Sequence, residues 1–134
     1  MREYFFEFLM KVRDYECDMQ GIVNNAIYLH YLEYTRHEFL ESIGVSFAGL
    51  QTLKIDPVVS RIEIDYKAPL RSGDCFISKM KMIKTGIKYI FFHEIYKNPD
   101  QRLSVKAKVE VVILENGRLS RGGYFDEILQ KIGA

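Results

Sequence analysis

Helical periodicity is confined to one long segment of this sequence, and strand-like alternation surrounds it. Over Ala26–Ile43 the apolar residues recur at helical spacing, which predicts one helix of about five turns. Asn24 or Asn25 can cap the first amides, and Gly44 stands where a helix commonly ends in the left-handed conformation. One long helix among strands restricts the chain to folds in which a single helix packs against a sheet.

The segments around this helix alternate apolar and polar residues with the period of a half-buried strand. Turns are predicted at Thr85-Gly86, which makes a hairpin, at Asn98-Pro99-Asp100 and at Asn116-Gly117. The predicted strands cover residues 5–12, 60–67, 76–82, 87–97 and 103–114, with a connector over 45–57 and a short terminal helix over 125–132. The order β, α, then four β predicts one α+β domain. A cystatin-like sheet wrapped around a helix has the same order, so periodicity alone leaves the topology open.

Composition excludes several classes of protein. The chain has 134 residues and a formal charge of +1, so it lacks the field needed to hold a polyanion non-specifically. No uncharged apolar run approaches the ~20 residues that cross a bilayer, so we expect a chain that is neither exported nor membrane-spanning. Its two cysteines, Cys17 and Cys75, fit a reducing cytoplasm better than a disulfide scaffold. Base stacking on a sheet carrying Tyr89, Phe91 and His93 is a remote alternative.

Two blocks of the sequence resemble a known family. The segment Val12–Gly44 fits the pattern R-x-x-[DE]-x-D-x-x-G-H-V-N-N-x-x-Y-x-x-[YF]-x-E-x-x-R, and Ile62–Asp74 reads as a tyrosine strand, a Pro-Leu turn and Gly-Asp. Both blocks resemble the hot-dog-fold acyl-CoA thioesterases of the 4-hydroxybenzoyl-CoA thioesterase type. The matches in the first block are Arg13, Glu16, Asp18, Gly21, Val23, Asn24, Asn25, Tyr28, Tyr31, Glu33 and Arg36.

The resemblance implies a fold and an assembly. It implies a hot-dog fold, in which a long central helix is wrapped by a five-stranded antiparallel sheet. It also implies a homodimer or a homotetramer built from dimers, with the active site between subunits. We therefore expect one hot-dog domain over residues 1–134, in the cytoplasm, with no cofactor, no metal and no nucleic-acid or membrane partner.

By the same resemblance, Asp18 is the catalytic carboxylate, acting as nucleophile or as general base. A carboxylate beside a helix N-terminus faces backbone amides that can stabilise an oxyanion. The catalytic candidates are Asp18, Gly21, Asn24, Asn25 and Glu33, and the substrate-binding candidates are Tyr15, Val23, Tyr28, Tyr66 and Arg71. Asn24 and Asn25 are also ordinary capping residues, and Glu33 is spaced to pair with Arg36.

The chain departs from the family pattern at the loop histidines. Ile22 follows the glycine where the family often has His, and Asn25 stands where a related branch has one. Catalysis then depends on Asp18 and amides, or on a side chain from elsewhere such as His93 or Glu33. The expected function is hydrolysis of an acyl-CoA thioester to free acid and coenzyme A. Alternatives are an acyl-acyl carrier protein thioesterase, a catalytically silent acyl-binding module and, more remotely, a cystatin-like inhibitor.

Overall fold

A computed structural model describes residues 4–133 and confirms the predicted order of elements. Each predicted helix and strand overlaps its observed counterpart, and a short helix and a short strand are added. The elements are β1 Tyr4–Lys11, α1 Asn25–Ser42, α2 Phe47–Leu53, β2 Ile55–Tyr66, β3 Cys75–Thr85, β4 Lys88–Lys97, β5 Arg102–Glu115, β6 Arg118–Ser120 and α3 Gly123–Gly133.

The strands form one antiparallel sheet in the order β1-β3-β4-β5-β2, and β6 pairs with the end of β5. The predicted hairpin at Thr85-Gly86 joins β3 to β4, with Thr85 opposite Lys88. The sheet curls around α1, whose buried side packs on it through the ring pair Tyr31–Phe76 at 4.8 Å and the hydroxyl pair Thr35–Ser78 at 2.7 Å. This is the hot-dog arrangement that the resemblance implies, not the cystatin-like alternative.

The inner face of the sheet is core and the outer face is charged. Tyr89, Phe91 and His93 are all buried, so the alternative in which they stack bases is wrong. On the outer face one cross-strand row runs through all five long strands with alternating charge, so each basic residue has acidic neighbours. The row is Glu7, Lys79, Glu94, Lys106 and Asp65.

The connector between α1 and β2 differs from its prediction as a loop. It contains α2, which begins after Ser46, whose Oγ accepts the Gly49 N–H at 3.0 Å. Strand β2 then starts at Ile55, not near Ser60, and includes Pro57. Proline is tolerated there because β2 lies at the edge of the sheet, where one row of amides has no strand to bond.

Helix α3 is held on the sheet by a partly buried polar cluster. The Tyr89 hydroxyl donates to Asp126 Oδ1 at 2.7 Å, and Lys84 Nζ donates to Asp126 Oδ2 at 2.5 Å. Burial, together with the contact to Asp126, raises the pKa of Tyr89 above its ordinary value. No helix within residues 4–133 is long and apolar enough to span a bilayer.

Gly122→Ala should destabilise the fold by about 3 kcal/mol, because Gly122 combines a φ of +80° with close contact to Tyr89. A Cβ there would lie 2.5 Å from the Tyr89 hydroxyl, which must then leave Asp126. Gly117→Ala is the matched control, since Gly117 has a φ of +78° and open space around it. Urea unfolding should give about 1 kcal/mol for the control. Equal losses in the two variants would contradict the steric role of Tyr89.

Candidate active site

Asp18 lies at the tip of a tight turn immediately before α1. The Asp18 N–H donates to the Ile22 carbonyl at 2.9 Å and the Gly21 N–H donates to the Asp18 carbonyl at 3.0 Å. Gly21 has a φ of +79°, which favours glycine at this position. A bridge between Cys17 and Val23 closes the turn, so the backbone fixes Asp18 relative to the helix start.

The Asp18 carboxylate keeps one oxygen free for chemistry. Oδ1 accepts the Gln20 N–H at 2.8 Å, which is the Asx-type contact of an ordinary turn aspartate. Oδ2 has no protein partner within residues 4–133, and the side chain is exposed. The turn contact therefore orients the carboxylate without consuming it.

Glu16 anchors the turn to α1, a role that the sequence did not reveal. Its Oε1 accepts the Tyr31 hydroxyl and the Arg13 N–H, both at 2.8 Å, and its carbonyl accepts the Asn24 N–H at 3.0 Å. Burial, and donation to this acceptor, raise the pKa of Tyr31. The match of Glu16 to the family pattern was the signal that the sequence offered.

The start of α1 presents its amides beside this turn. Asn24 is the N-cap, and its Oδ1 accepts the Ala26 N–H at 2.9 Å, which confirms the capping prediction. Asn25 is the first residue of α1, and amides of a first helical turn have no partner inside the helix. Its carbonyl accepts the Tyr66 hydroxyl at 3.1 Å, so this helix end is also tied to the edge strand β2.

A cavity of about 230 Å³ opens at this helix end. The Tyr28 and Tyr66 rings pack edge to face at 5.5 Å, and the Tyr28 hydroxyl accepts the Leu70 N–H at 3.0 Å. Burial raises the pKa of Tyr28, so its hydroxyl stays protonated. The structure thus brings four candidates to one cavity, whose lining is Ile22, Val23, Asn25, Tyr28, Tyr66, Lys67, Ala68 and Pro69.

Arg71 adds a cation above the turn. A bridge joins Arg71 to Ile22, and its Nη1 lies 3.9 Å from the position that a Cβ on Gly21 would take. The side chain is exposed, and no carboxylate of residues 4–133 lies within ion-pair distance of its guanidinium. A cation at this place suits an anionic part of a ligand.

Comparison of the sequence with known protein families identifies the superfamily of the chain. The sequence model of the Thioesterase-like superfamily matches residues 12–130. This chain belongs to that superfamily. It is 42% identical over 113 residues to the acyl-acyl carrier protein thioesterase ATL3, chloroplastic, of Arabidopsis thaliana, covering 84% of this chain and 60% of that protein.

One further likeness supports the assignment to the superfamily, and another supports the fold. The long-chain acyl-CoA thioesterase FadM of Escherichia coli is 31% identical over 107 residues, covering 79% of this chain and 80% of that protein. A crystal structure of Slr0204, a 1,4-dihydroxy-2-naphthoyl-CoA thioesterase from Synechocystis, has a TM-score of 0.89 over 98% of this chain and 99% of that one. At 15% identity that structural likeness shows the fold.

Six site candidates do not line the cavity: Asp18, Gly21, Asn24 and Arg71 belong to the turn and its surroundings, and Tyr15 and Glu33 lie on other parts of the surface. Tyr15 is 80% exposed in a 3-10 turn and lines a separate concavity of about 620 Å³ along β1. Glu33 is exposed and pairs with His37 at 3.6 Å, not with Arg36 as its spacing suggested. Neither side chain lines the cavity at the start of α1, and their roles stay predictions.

His93 lies under α1 and outside the cavity of the thioesterase-like site. It is 0% exposed, and burial lowers its pKa to about 3. The suggestion that His93 replaces a loop histidine as base therefore fails on access, because a thioester at the Asp18 turn cannot touch it. Within residues 4–133 no three His, Cys, Asp or Glu side chains converge as metal ligands.

Proposed function

We propose that this chain hydrolyses acyl thioesters to a free acid and a thiol, with Asp18 as the reacting carboxylate. The observation that carries the proposal is the exposed Asp18 carboxylate, which is held by a fixed turn that leads directly into α1, and the start of α1 lines a cavity with two tyrosines. A carboxylate and helix N-terminal amides are groups that acyl transfer can use.

The reaction needs one carboxylate and one oxyanion site. Asp18 either attacks the thioester carbonyl, giving an anhydride that water opens, or takes a proton from the water that attacks. In both routes the carbonyl oxygen becomes an oxyanion. The C–S bond then breaks, and the leaving thiolate takes up a proton to give the free thiol. The Asn25 N–H at the start of α1 is the oxyanion donor we favour, since Ala26 and Ile27 N–H bond Asn24 while the first amide of a helix has no partner inside the helix, and the helix dipole favours negative charge there.

We propose coenzyme A as the principal carrier of the acyl group. Arg71 above the Asp18 turn and Lys67 in the cavity lining supply cations for its phosphates. An acyl-acyl carrier protein is the second candidate, because ATL3 is named for that substrate and is 42% identical. The phosphopantetheine arm is common to both carriers, so the same residues would meet it.

The free edge of β2 supports a homodimer, or a homotetramer built from two dimers, as the working unit. Within residues 4–133 β2 pairs with β5 alone, so one edge of this twelve-residue strand has no partner. Exposed apolar side chains cluster along and beside that edge, which favours coverage by a second sheet. They are Leu29, Phe47, Leu53, Val58, Val59, Ile62 and Tyr66.

Ile62→Lys should convert this dimer to monomer. Ile62 is 39% exposed on β2, and a lysine there would bury an unpaired ammonium in each copy, weakening association by about 100-fold. Light scattering measures the mass, and thiol release should fall with it if the site needs both copies. Leu119→Lys is the matched control on β6, where Leu119 is 60% exposed. A wild-type monomer, or a dimeric Ile62→Lys, would contradict this interface.

We propose the cytoplasm as the compartment. Cys17 and Cys75 are both free thiols in the structure, and a reducing compartment preserves that state.

The experiment that tests the function is thiol release from acetyl-, hexanoyl-, palmitoyl-, benzoyl- and 4-hydroxybenzoyl-coenzyme A, with palmitoyl-acyl carrier protein alongside. Release from at least one coenzyme A thioester supports the proposal and names the acyl class. Release from the carrier protein alone favours the second candidate. If the folded protein releases no thiol from any of these substrates, the proposed hydrolysis is contradicted and a catalytically silent acyl-binding module is favoured.

A further inference from the structure

Glu16 carries a second carboxylate close to Asp18 in the chain, and the proposed chemistry does not use it. Glu16 is 7% exposed. Its Oε1 accepts the Tyr31 hydroxyl and the Arg13 N–H, both at 2.8 Å, and its Oε2 lies 3.3 Å from Arg13 Nη1. Both oxygens are bonded inside the protein, so this carboxylate holds the chain and does not react.

Glu16 is bonded to α1 through both its main chain and its side chain. Its carbonyl accepts the N–H of Asn24, the N-cap of the helix, at 3.0 Å. Its carboxylate accepts the hydroxyl of Tyr31, which lies on the second turn of the helix. One bond alone would leave the Asp18 turn free to pivot about it, and the second bond removes that freedom.

The Tyr31 ring is a rigid support for this side-chain bond. It is 2% exposed, and it packs on the Phe76 ring at 4.8 Å and edge to face on the Tyr28 ring at 5.9 Å. A buried ring packed in this way cannot follow Glu16 if the turn shifts, so its hydroxyl stays in one place. Tyr28 also lines the cavity at the start of α1, so these contacts connect the turn to the wall of that cavity.

The position of Glu16 is passed on to Asp18 by the backbone. Asp18 follows Glu16 by two residues, and its N–H donates to the Ile22 carbonyl at 2.9 Å on the other side of the turn. The place where Glu16 is held therefore decides where the Asp18 carboxylate lies relative to the Asn25 N–H, the oxyanion donor that we favour. Displacing a reacting group by about 1 Å can slow a reaction about 100-fold.

We infer that the hydrogen bond from Tyr31 to Glu16 positions Asp18 for reaction, which makes these two side chains positioning residues of the site. This inference rests on the proposed function and adds what holds the site in its reactive geometry. Loss of the bond leaves the Asp18 carboxylate and the cavity in place but lets the turn move. It should therefore lower kcat and leave KM nearly unchanged.

The test compares two tyrosine hydroxyls that make the same kind of bond. Tyr31→Phe keeps the ring and removes the hydroxyl, and it should lower kcat for thiol release at least about tenfold while KM changes less than about twofold. Tyr89→Phe is the matched control, because the buried Tyr89 hydroxyl donates to Asp126 Oδ1 at 2.7 Å, beneath α3. Urea unfolding should show a loss of stability in both variants, and only Tyr31→Phe should lose kcat.

Two variants of Glu16 repeat the test from the other side of the bond. Glu16→Gln keeps a side-chain oxygen that can accept the Tyr31 hydroxyl, whereas Glu16→Ala does not, so Glu16→Gln should retain more of the wild-type kcat. This comparison serves if Tyr31→Phe does not fold. Equal losses of kcat in Tyr31→Phe and Tyr89→Phe, or in the two Glu16 variants, would overturn the inference and leave the thioesterase standing.

Hydrogen exchange separates this inference from the proposed function. If the wild-type protein hydrolyses nothing, the proposed function fails, but the hold on the turn can still be measured. The Asp18 and Asn24 amides, which donate to the Ile22 and Glu16 carbonyls, should exchange at least about tenfold faster in Tyr31→Phe than in Tyr89→Phe. Equal exchange rates would overturn the inference in that case.

Discussion

Replacing Asp18 by Asn should lower kcat by a factor of about 100 or more, which is about 3 kcal/mol of transition-state stabilisation. An amide is neither a nucleophile for a thioester nor a base, and Oδ2 is the oxygen that the protein leaves free. The variant should fold normally, because an amide oxygen can still accept the Gln20 N–H through Oδ1. The effect should therefore appear in kcat with little change in KM.

Asp56→Asn is the control for this experiment. Asp56 is an exposed aspartate of β2, opposite Leu114, and has no part in the cavity. Steady-state thiol release should match the wild type for this variant. If Asp18→Asn retains more than about a tenth of wild-type kcat, the carboxylate is not the reacting group and Glu33 becomes the next candidate.

The second large effect that we expect is a fall in the free energy of unfolding in mild acid, and its cause is the buried His93 side chain. Burial holds the pKa of His93 at about 3, well below the ordinary 6.5, so the folded protein keeps a neutral ring while the unfolded chain binds a proton. The stabilising contribution is complete above pH 6.5 and is lost as the pH falls toward 3. Each pH unit in that window should remove up to about 1.4 kcal/mol of unfolding free energy.

Urea unfolding at pH 7, 6 and 5 measures this slope. His93→Gln should flatten it, whatever the variant costs at pH 7, because the titrating group is gone. His30→Gln, at an exposed position of α1, should keep the wild-type slope. A His93→Gln slope as steep as the wild type would place the acid sensitivity in other groups.

The sequence predicted those helices, turns and strands that are specified by residues close together in the chain. The capped start of α1 at Asn24, the turn at Thr85-Gly86 and the alternation of the long strands follow from residues close in sequence. Helix α2 was not predicted, because a helix of seven residues is too short to show a clear periodicity. It also contains Gly49, and glycine is a weak helix former. Pro57 ended the predicted connector, whereas in the structure it lies within β2, where the edge position of the strand makes a proline acceptable.

The polar contacts inside the fold could not be predicted from spacing. Arg36 and Glu33 are three residues apart on one helix, which suggests a pair, yet Arg36 meets His93, 57 residues away. Glu16 bonds Tyr31 across the turn that carries Asp18. Which side chains meet across α1 and the sheet depends on the register of the strands, and register is a property of the whole fold.

The strand order also governs what happens while the chain is being synthesised. Strand β1 pairs with β3 and β2 pairs with β5, so the first 66 residues contain no two strands that are neighbours in the finished sheet. Helix α1 emerges with its apolar side uncovered, and β2 must wait until residues 102–115 have been made. A nascent chain that stops before Arg102 therefore holds β2 as an unpaired apolar strand. That stage leaves a strand edge and the apolar side of α1 uncovered together, which is the condition that favours aggregation of nascent chains.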